Sequence, residues 1–369
     1  MRGELTSRGS RPLVGRRRGS WSRPARGLLL AGILGAGLAL ASCGDAPEEE
    51  AARGPKAERA AQLRAVRAAR ADETGRVMVL EYHRVGGDPD LAPEWTISSR
   101  AFRAELEYLR SHDYHPVNLR DFVRNEMDVP AGRTPVVLTF DDSSDSQFTL
   151  VRRGGRWVPD PAGAVGILAD FHARHPDWPL RATWFVLPAA DPPNDFFGQK
   201  ALVARKLRYL VEQGMEIGSH TLYHADLATA TPDEVRRQLA LSIVEIRRVL
   251  PGHEVTTLGV PFGRYPADDA LLRSGEWEGR AYAFEAAVEV AGGPASPPGA
   301  RDFDPMHIPR VQTGEAAGQS RDVFESFERG PSRRYRSDGD AGTIAFPKSH
   351  AGRLDLEALY TAGKVFRGY

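Results

Sequence analysis

Cysteine is almost absent from this chain of 369 residues, in which Cys43 is the single one. A single cysteine excludes an intrachain disulfide, and it excludes metal sites that are built from several thiolates. Any metal ion in the body of the chain must therefore be held by His, Asp or Glu. Hydrophobic residues are not scarce, since they make up 41% of the chain. That fraction is enough to bury a full core, in one large domain or in two smaller ones.

A surplus of positive charge is also lacking. The 49 basic and 49 acidic residues give a net charge of zero. Residues 1–42 hold eight arginines and one glutamate, a net charge of +7, so the rest of the chain stands at −7. A mildly acidic body argues against a nucleic-acid partner.

The chain has one notable apolar run, and it lies near the N-terminus. Residues 28–40 follow an arginine-rich segment, are too few for a comfortable membrane span and lead into small residues. This pattern predicts that residues 1–42 are a secretion signal. The sequence Leu40-Ala41-Ser42-Cys43 resembles the lipobox of bacterial lipoproteins, which implies export and attachment to the membrane of the cell envelope through a lipid on Cys43. The alternatives are an ordinary cleaved signal and an uncleaved anchor.

The remaining chain divides into three predicted parts. Residues 43–75 begin with an acidic segment rich in Ala, Pro and Gly, continue as a solvated helix or as more irregular chain, and are predicted to be a tether. Strand and helix patterns alternate over residues 76–320, which predicts one α/β domain with a parallel barrel or sheet. The pattern weakens in residues 321–369, which are predicted to be a C-terminal extension that is loose in part.

Two short motifs carry the candidate chemistry. An apolar run ends in Asp141 and Asp142, at the carboxyl end of a predicted buried strand, where α/β barrels gather their functional residues. His220 and His224 stand four residues apart, a spacing that brings two rings to one ion on a helical turn. One Asp and two His make a three-ligand metal set, and the other Asp is then free to act as a base. The structural alternatives are a pair of helix-capping carboxylates and a pair of surface histidines.

These motifs resemble those of a known family. Residues 139–142 (Thr-Phe-Asp-Asp) and 220–224 (His-Thr-Leu-Tyr-His) resemble the first two motifs of the NodB-type polysaccharide deacetylases, carbohydrate esterase family 4. Three further segments resemble other parts of the family's sequence and stand in the family's order along the chain. They are residues 79–85, 181–186 and 260–263. The resemblance covers roughly residues 76–315 and implies an α/β fold, a distorted (β/α)7 barrel.

The resemblance also implies roles for individual residues. Asp142, His220 and His224 would bind one divalent metal ion, which two imidazoles and a carboxylate suggest is Zn²⁺. Asp141 would be the base, and the backbone N–H of Phe262 would stabilise an oxyanion. The implied activity is a metal-dependent hydrolase that removes N-acetyl groups from a GlcNAc-containing polysaccharide of the cell wall or of an exopolysaccharide. The alternatives are another amide or ester hydrolase on the same fold, and a catalytically impaired relative that binds glycans.

Two departures from the family pattern concern proton transfer. The family often has an arginine two residues before the proline of the third motif, where this chain has Gly259, and Arg264 is the candidate substitute. The family also supplies a histidine as general acid from a late strand. His307 and His350 are the candidates for that role, although each is also explained as a solvated histidine. If neither serves, the leaving group takes its proton from Asp141 or from solvent.

Replacement of Cys43 by alanine tests the predicted lipid anchor. Cys43→Ala removes the thiol that would carry the lipid, so we expect the protein to be released or misprocessed. The measurement is the fraction of protein that stays with membranes after washing without detergent. Unchanged membrane association in the variant would instead indicate an uncleaved helix.

Overall fold

The computed structural model of this protein describes residues 55–88, 90, 92–315, 319–330 and 333–369. The predicted signal peptide and Cys43 lie outside the described residues, so both stay predictions. Within the described part of the chain, no helix is long and apolar enough to cross a membrane.

Strands and helices alternate along most of the described chain. The strands are β1 (Met78–Tyr82), β2 (Arg84–Val85), β3 (Thr96–Ile97), β4 (Tyr114–Val117), β5 (Thr134–Phe140), β6 (Leu150–Arg153), β7 (Arg156–Pro159), β8 (Thr183–Val186), β9 (Glu216–Ser219), β10 (Thr257–Gly259), β11 (Ser274–Trp277), β12 (Arg280–Ala283), β13 (Ala286–Gly292), β14 (Ile308–Gln312), β15 (Thr343–Phe346) and β16 (Val365–Gly368). The helices are α1 (Pro55–Ala69), α2 (Ser99–Ser111), α3 (Leu119–Val123), α4 (Ala164–Arg174), α5 (Val203–Glu212), α6 (Pro232–Val249), α7 (Ala270–Arg273), α8 (Gln319–Arg329) and α9 (Leu356–Thr361).

Seven parallel strands close into a barrel, which confirms the predicted (β/α)7 fold. The order around the ring is β1, β14, β13, β10, β9, β8 and β5, and the ring closes because β5 also pairs with β1. The barrel is distorted at one edge of β5, which two strands share. Residues 134–137 pair with β4, whereas Thr139 and Phe140 pair with β8. Because all seven strands run the same way, their carboxyl ends meet at one rim.

Strand β5 shows why the functional residues face the inside of this rim. All seven of its side chains are buried, as expected for a parallel strand that is covered on both faces. Leu138 and Phe140 join the core between barrel and helices, while Val137 joins the core that fills the barrel. Side chains alternate along a strand, so Thr139 and then Asp141 point inward, toward the barrel axis.

Phe185 fills the interior of the barrel next to two glycines. It is fully buried on β8, and a Cβ on Gly218 of β9 would lie 2.7 Å from its ring. A Cβ on Gly259 of β10 would lie 2.9 Å from the same ring and 3.0 Å from Nδ1 of His220. Packing this tight excludes a side chain at position 259. The arginine that the family often has there therefore has no room in this chain.

The segment before β1 packs against the C-terminal part of the chain. Glu73 is buried and accepts hydrogen bonds from the Tyr335 hydroxyl at 3.0 Å and from the Ala345 N–H at 2.8 Å. The Tyr369 hydroxyl donates to the carbonyl oxygen of Ala71 at 2.9 Å, and β15 pairs with β16. The end of the predicted tether and the extension predicted to be partly loose are thus ordered together in the described residues. Local sequence patterns do not report such contacts, because the partners are more than 260 residues apart.

The buried carboxyl of Glu73 makes stability depend on pH. Burial, reinforced by Asp338, raises the pKa of Glu73 from 4.5 to about 8. The folded protein therefore keeps this proton over a range in which the unfolded chain has lost it, so stability falls as pH rises from about 5 to 8. Each pKa unit corresponds to about 1.4 kcal/mol. We expect Glu73→Gln to reduce the loss of unfolding free energy between about pH 5 and 8 by a few kcal/mol. Urea unfolding at each pH measures this free energy. The exposed Glu357→Gln is the control, and an unchanged slope in Glu73→Gln would contradict the assignment.

Candidate active site

Three predicted metal ligands meet at the rim where the strands end. Asp142 follows β5, and His220 and His224 lie in the turn after β9. Nε2 of each histidine lies 3.4 Å from Oδ1 of Asp142. Ligand atoms about 2.0–2.1 Å from a tetrahedral zinc ion stand about 3.3 Å from one another. With all three ligand atoms within 4.8 Å of one another, the side chains could hold a single divalent ion, and the donor set of two imidazoles and a carboxylate suits zinc.

A backbone carbonyl fixes the orientation of His220. Its Nδ1 lies 2.8 Å from the carbonyl oxygen of Gly259, so Nδ1–H donates there and Nε2 presents its lone pair to an ion. This is the partner of the second ring nitrogen, which the sequence does not name. Gly259 therefore serves the site twice, because it orients the ligand and leaves space for its ring.

The turn that carries both histidines is held by hydroxyl groups. The Ser219 hydroxyl accepts a hydrogen bond from the Thr221 N–H at 3.0 Å. The Thr221 hydroxyl accepts from the N–H groups of His224 and Ala225, at 3.1 and 3.2 Å. These bonds satisfy the backbone of an irregular turn, and they fix the spacing of the two rings.

Left-handed backbone conformations cluster around the same rim. Asp142 (φ 72°), Thr221 (φ 68°), His224 (φ 65°) and Phe262 (φ 60°) all adopt them, although none is a glycine. Each such residue costs on the order of 1 kcal/mol or more and persists only where its surroundings impose it. Three of these four residues are predicted to bind the ion or to stabilise the oxyanion. Strain of this kind is typical of a functional site.

Arg310 is the partner of Asp141, and the sequence did not identify it. It is fully buried inside the barrel on β14, and its Nη1 and Nη2 donate to the two oxygens of Asp141 at 2.8 and 2.7 Å. Burial alone would raise the pKa of Asp141, but Arg310 and His220 outweigh it and hold the pKa well below its usual range. Asp141 is therefore ionised, as a base must be. Arg264, the substitute considered from the sequence, is exposed and pairs with Asp226 at 3.3 Å instead.

A second buried carboxylate shares the same guanidinium. Nη2 of Arg310 also donates to Glu81 of β1 at 2.9 Å, and the Glu81 side chain is fully buried. Burial raises the pKa of Glu81 well above its usual range, although Arg310 lies beside it. One cation thus balances one anion, Asp141, and Glu81 is kept as the neutral acid.

His83 lies in the cleft beside these groups. Its Nε2 is 3.7 Å from Oε1 of Glu81, and its ring contacts Trp95 edge-on with ring centroids 4.6 Å apart. Burial lowers the pKa of His83, so the ring is neutral at rest. Donor atoms of Glu81, His83 and Asp141 lie within 4.8 Å of one another. Arg310 already holds both oxygens of Asp141, so this group fits proton transfer better than a second metal ion.

The structure does not bring the two predicted general acids to the cleft. His307 pairs with Asp269 at 2.9 Å and with Glu289 at 3.2 Å, because it precedes β14 and turns away from the barrel axis. His350 pairs with Asp72 at 2.8 Å, beyond the amino end of β1. Neither histidine is among the residues that line the cleft. The sequence places His83 at the end of the first predicted strand, facing the barrel mouth, which is as consistent with a core or rim role as with a substrate contact.

The cleft is a cavity of about 440 Å³ above the barrel. It is lined by His83, Arg84, Ala92, Trp95, Asp141, Asp142, His220, His224, Phe262 and Val290. The Phe262 side chain is 57% exposed and its ring packs edge-on against His224. In the described part of the chain, the backbone N–H of Phe262 has no hydrogen-bond partner. Its role as an oxyanion donor stays a prediction.

Comparisons with known proteins agree with this geometry. Residues 177–274 match the family model described as "Polysaccharide deacetylase". A chitooligosaccharide deacetylase of Sinorhizobium fredii is 29% identical over 156 residues, which are 42% of this chain and 58% of that relative. The chain thus spans just under three fifths of that relative's length. A putative polysaccharide deacetylase of Bacillus subtilis, YxkH, is 22% identical over 308 residues, which are 80% of this chain and 95% of the relative.

Solved structures show a similar fold. A polysaccharide deacetylase from Bacillus cereus superposes with a TM-score of 0.50 at 19% identity, over 67% of this chain and 68% of the other. A putative polysaccharide deacetylase from Bacillus anthracis gives the same values. At this level of identity the likeness concerns the fold alone.

Removal of one imidazole tests the metal site. We expect the wild-type protein to hold one divalent ion and His220→Ala to hold none, because the buried ring supplies one of three ligands. Metal analysis of dialysed protein measures the stoichiometry, and thermal unfolding checks that the fold is kept. His307→Ala is the matched control and should retain the ion. A wild-type metal content in His220→Ala would rule out the ligand assignment.

Proposed function

We propose that this chain is a NodB-type polysaccharide deacetylase, a metal-dependent hydrolase that removes N-acetyl groups from a GlcNAc-containing polysaccharide, and the matches reported above support this proposal. The observation that carries the proposal is one arrangement at the cleft. A three-ligand metal set, Asp142, His220 and His224, lies next to Asp141, a carboxylate that Arg310 keeps ionised. A Lewis acid polarises an amide carbonyl and a base deprotonates the attacking water, so the two together promote deacetylation at one carbonyl.

The residues of the cleft divide the chemistry among them. A divalent ion held by the three ligands would supply a Lewis acid for the acyl carbonyl and for a water molecule. Asp141 takes the proton of the attacking water, and Arg310 keeps that carboxylate charged and fixed in direction. The Phe262 N–H donates to the oxygen on which negative charge develops. Bond formation to carbon and loss of the water proton are thus served by separate groups.

His83, which is neutral at rest, is proposed to relay a proton to the leaving amine: its ring passes an N–H proton to the nitrogen and takes one from the neutral acid Glu81, which the proton that Asp141 took from water restores. It is the histidine of the cleft outside the metal set, and it lies beside the neutral acid Glu81. Breaking the C–N bond requires a proton on nitrogen, because an amide anion is too basic to leave. A donor directly after β1 therefore takes the place of the histidine that the family supplies from a late strand.

These residues answer the case for an inactive glycan-binding relative. That alternative depended on a missing arginine and a missing general acid. In this proposal Arg310 on β14 and His83 directly after β1 take the two roles, which favours an active enzyme over a binding module. The name of the Sinorhizobium relative, a chitooligosaccharide deacetylase, favours an N-acetylated glucosamine chain as substrate. The polymer of the cell wall or an exopolysaccharide is the proposed form of that substrate.

The proposed place of action is the cell envelope. Export by residues 1–42 and a lipid on Cys43 would hold the enzyme at a membrane surface, where such polymers are made or displayed. The described residues would then work as a tethered domain.

Asp141→Asn tests the base and with it the activity. The variant keeps size and hydrogen-bonding atoms but cannot accept a proton, so we expect turnover to fall by about 10²–10⁴ while the metal is retained. The measurement is acetate release from N-acetylglucosamine oligomers. Asp233→Asn, at a side chain that is 90% exposed, is the control.

Metal loss in Asp141→Asn with retention in Asp142→Asn would mean that the two carboxylates have each other's roles. No acetate from any acetylated glycan or ester with the metal-loaded wild type would contradict the proposed function.

His83→Gln separates acid catalysis from the other steps. We expect a loss of about 10²-fold or more on an acetamide, whose amine must be protonated to leave. An aryl acetate needs no such proton, since its phenolate is a good leaving group, and its hydrolysis should be nearly unchanged. The two rates are compared at the same metal content. An equal loss on both substrates would show that His83 only packs the cleft.

A further inference from the structure

A second cavity lies at the opposite end of the barrel from the cleft. It has a volume of about 730 Å³ and shares no lining residue with the cleft. Part of its wall is Thr74–Arg76, the segment directly before β1, so the cavity opens at the amino ends of the strands. The proposed reaction does not use it.

Four arginines from distant parts of the chain converge on this cavity. They are Arg76, Arg301, Arg333 and Arg353. Arg76 pairs with Asp302 at 3.1 Å, and Arg353 makes one long contact of 3.5 Å to the Thr74 hydroxyl. The guanidinium groups of Arg301 and Arg333 have no partner among the described residues. With Asp322 as the one further carboxylate of the lining, the cavity keeps a surplus of two positive charges.

The floor between these charges is apolar. Phe327 and Val323 of α8 contribute to it, together with Pro294, Pro297 and Ala300. Cavities with an apolar floor and a few placed polar groups are typical of ligand sites. Guanidinium groups match phosphate oxygens in a paired, planar geometry. The lining therefore fits an organic phosphate with an apolar body better than a free inorganic anion.

The position of the cavity points to a source for such a ligand. The chain reaches β1 through α1 and the segment that lines the cavity, so the N-terminal side of the protein joins the barrel at this end. With the proposed lipid anchor at Cys43, the tethered chain would enter the barrel at this end. We propose that the cavity binds the phosphate headgroup of an anionic phospholipid, which would set the cleft facing away from the membrane.

Soluble short-chain lipids test headgroup binding independently of membrane anchoring. The full chain is held in neutral detergent, and its binding of dihexanoyl phosphatidylglycerol is measured by calorimetry. Dihexanoyl phosphatidylcholine, which has the same phosphate but no net charge, and inorganic phosphate are the comparison ligands. We expect binding of the phosphatidylglycerol and little binding of the other two. Equal affinity for inorganic phosphate, or tighter binding of an acidic glycan fragment, would overturn the lipid assignment.

Charge reversal tests the site. The double variant Arg301→Glu and Arg333→Glu changes two exposed, unpartnered side chains, so the fold should be kept. We expect phosphatidylglycerol affinity to fall on the order of thirtyfold or more, from the loss of two charges that face an anionic headgroup. Arg205→Glu with Arg208→Glu on α5, also exposed, is the matched control. An equal loss in the control would mean general charge attraction and overturn the site. Acetate release should be unchanged in both variants, so this outcome is independent of the proposed function.

Discussion

The contact between Arg310 and Asp141 is the constraint on which the site depends. A carboxylate buried at the top of the barrel would be protonated at neutral pH, and a protonated carboxyl cannot accept the proton of water. Arg310 reverses this, because its guanidinium holds both oxygens of Asp141 at 2.7–2.8 Å in a place without solvent. Buried ion pairs contribute little net stability, since desolvation offsets their attraction. The pair is therefore better explained by reactivity than by stability, and the neighbouring Glu81 adds a neutral acid within reach of the same cation.

Space in the barrel decides from which strand the arginine comes. Phe185 and the ring of His220 occupy the volume next to Gly259, so a side chain cannot enter there. The inward position on β14 has room for a long side chain, and from there Arg310 extends along the barrel axis to the rim. It is held on the way by the carbonyl oxygen of Glu289 and by the Thr139 hydroxyl at 3.0 Å. The same electrostatic role is thus reached from another strand of the same ring.

Local patterns predicted what depends on neighbouring residues, and missed what depends on pairing around the ring. The buried strand before Asp141, the His220–His224 turn and the alternation of strands and helices are all visible in short windows of sequence. Arg310 is 229 residues from Glu81, and only closure of the barrel brings the two together. The sequence did hold one indication of this role. Arg310 is two residues after Ile308, so it lies on the same inward face of the strand, where a charged side chain is unusual. His83 was at a strand end that was expected to reach the rim, yet its role needed Glu81 beside it.

The left-handed conformations around the cleft bear on how this sequence can change over time. A glycine would relieve the backbone at Asp142, Thr221, His224 or Phe262, so stability alone favours replacing residues that the proposed chemistry needs. Most random substitutions that raise stability are neutral or harmful to activity, and strained sites are where the two conflict most directly. A copy of this gene released from selection for activity would therefore tend to lose these backbone conformations early. The four strained residues of this rim therefore mark a place where the demands of stability and of the proposed chemistry conflict.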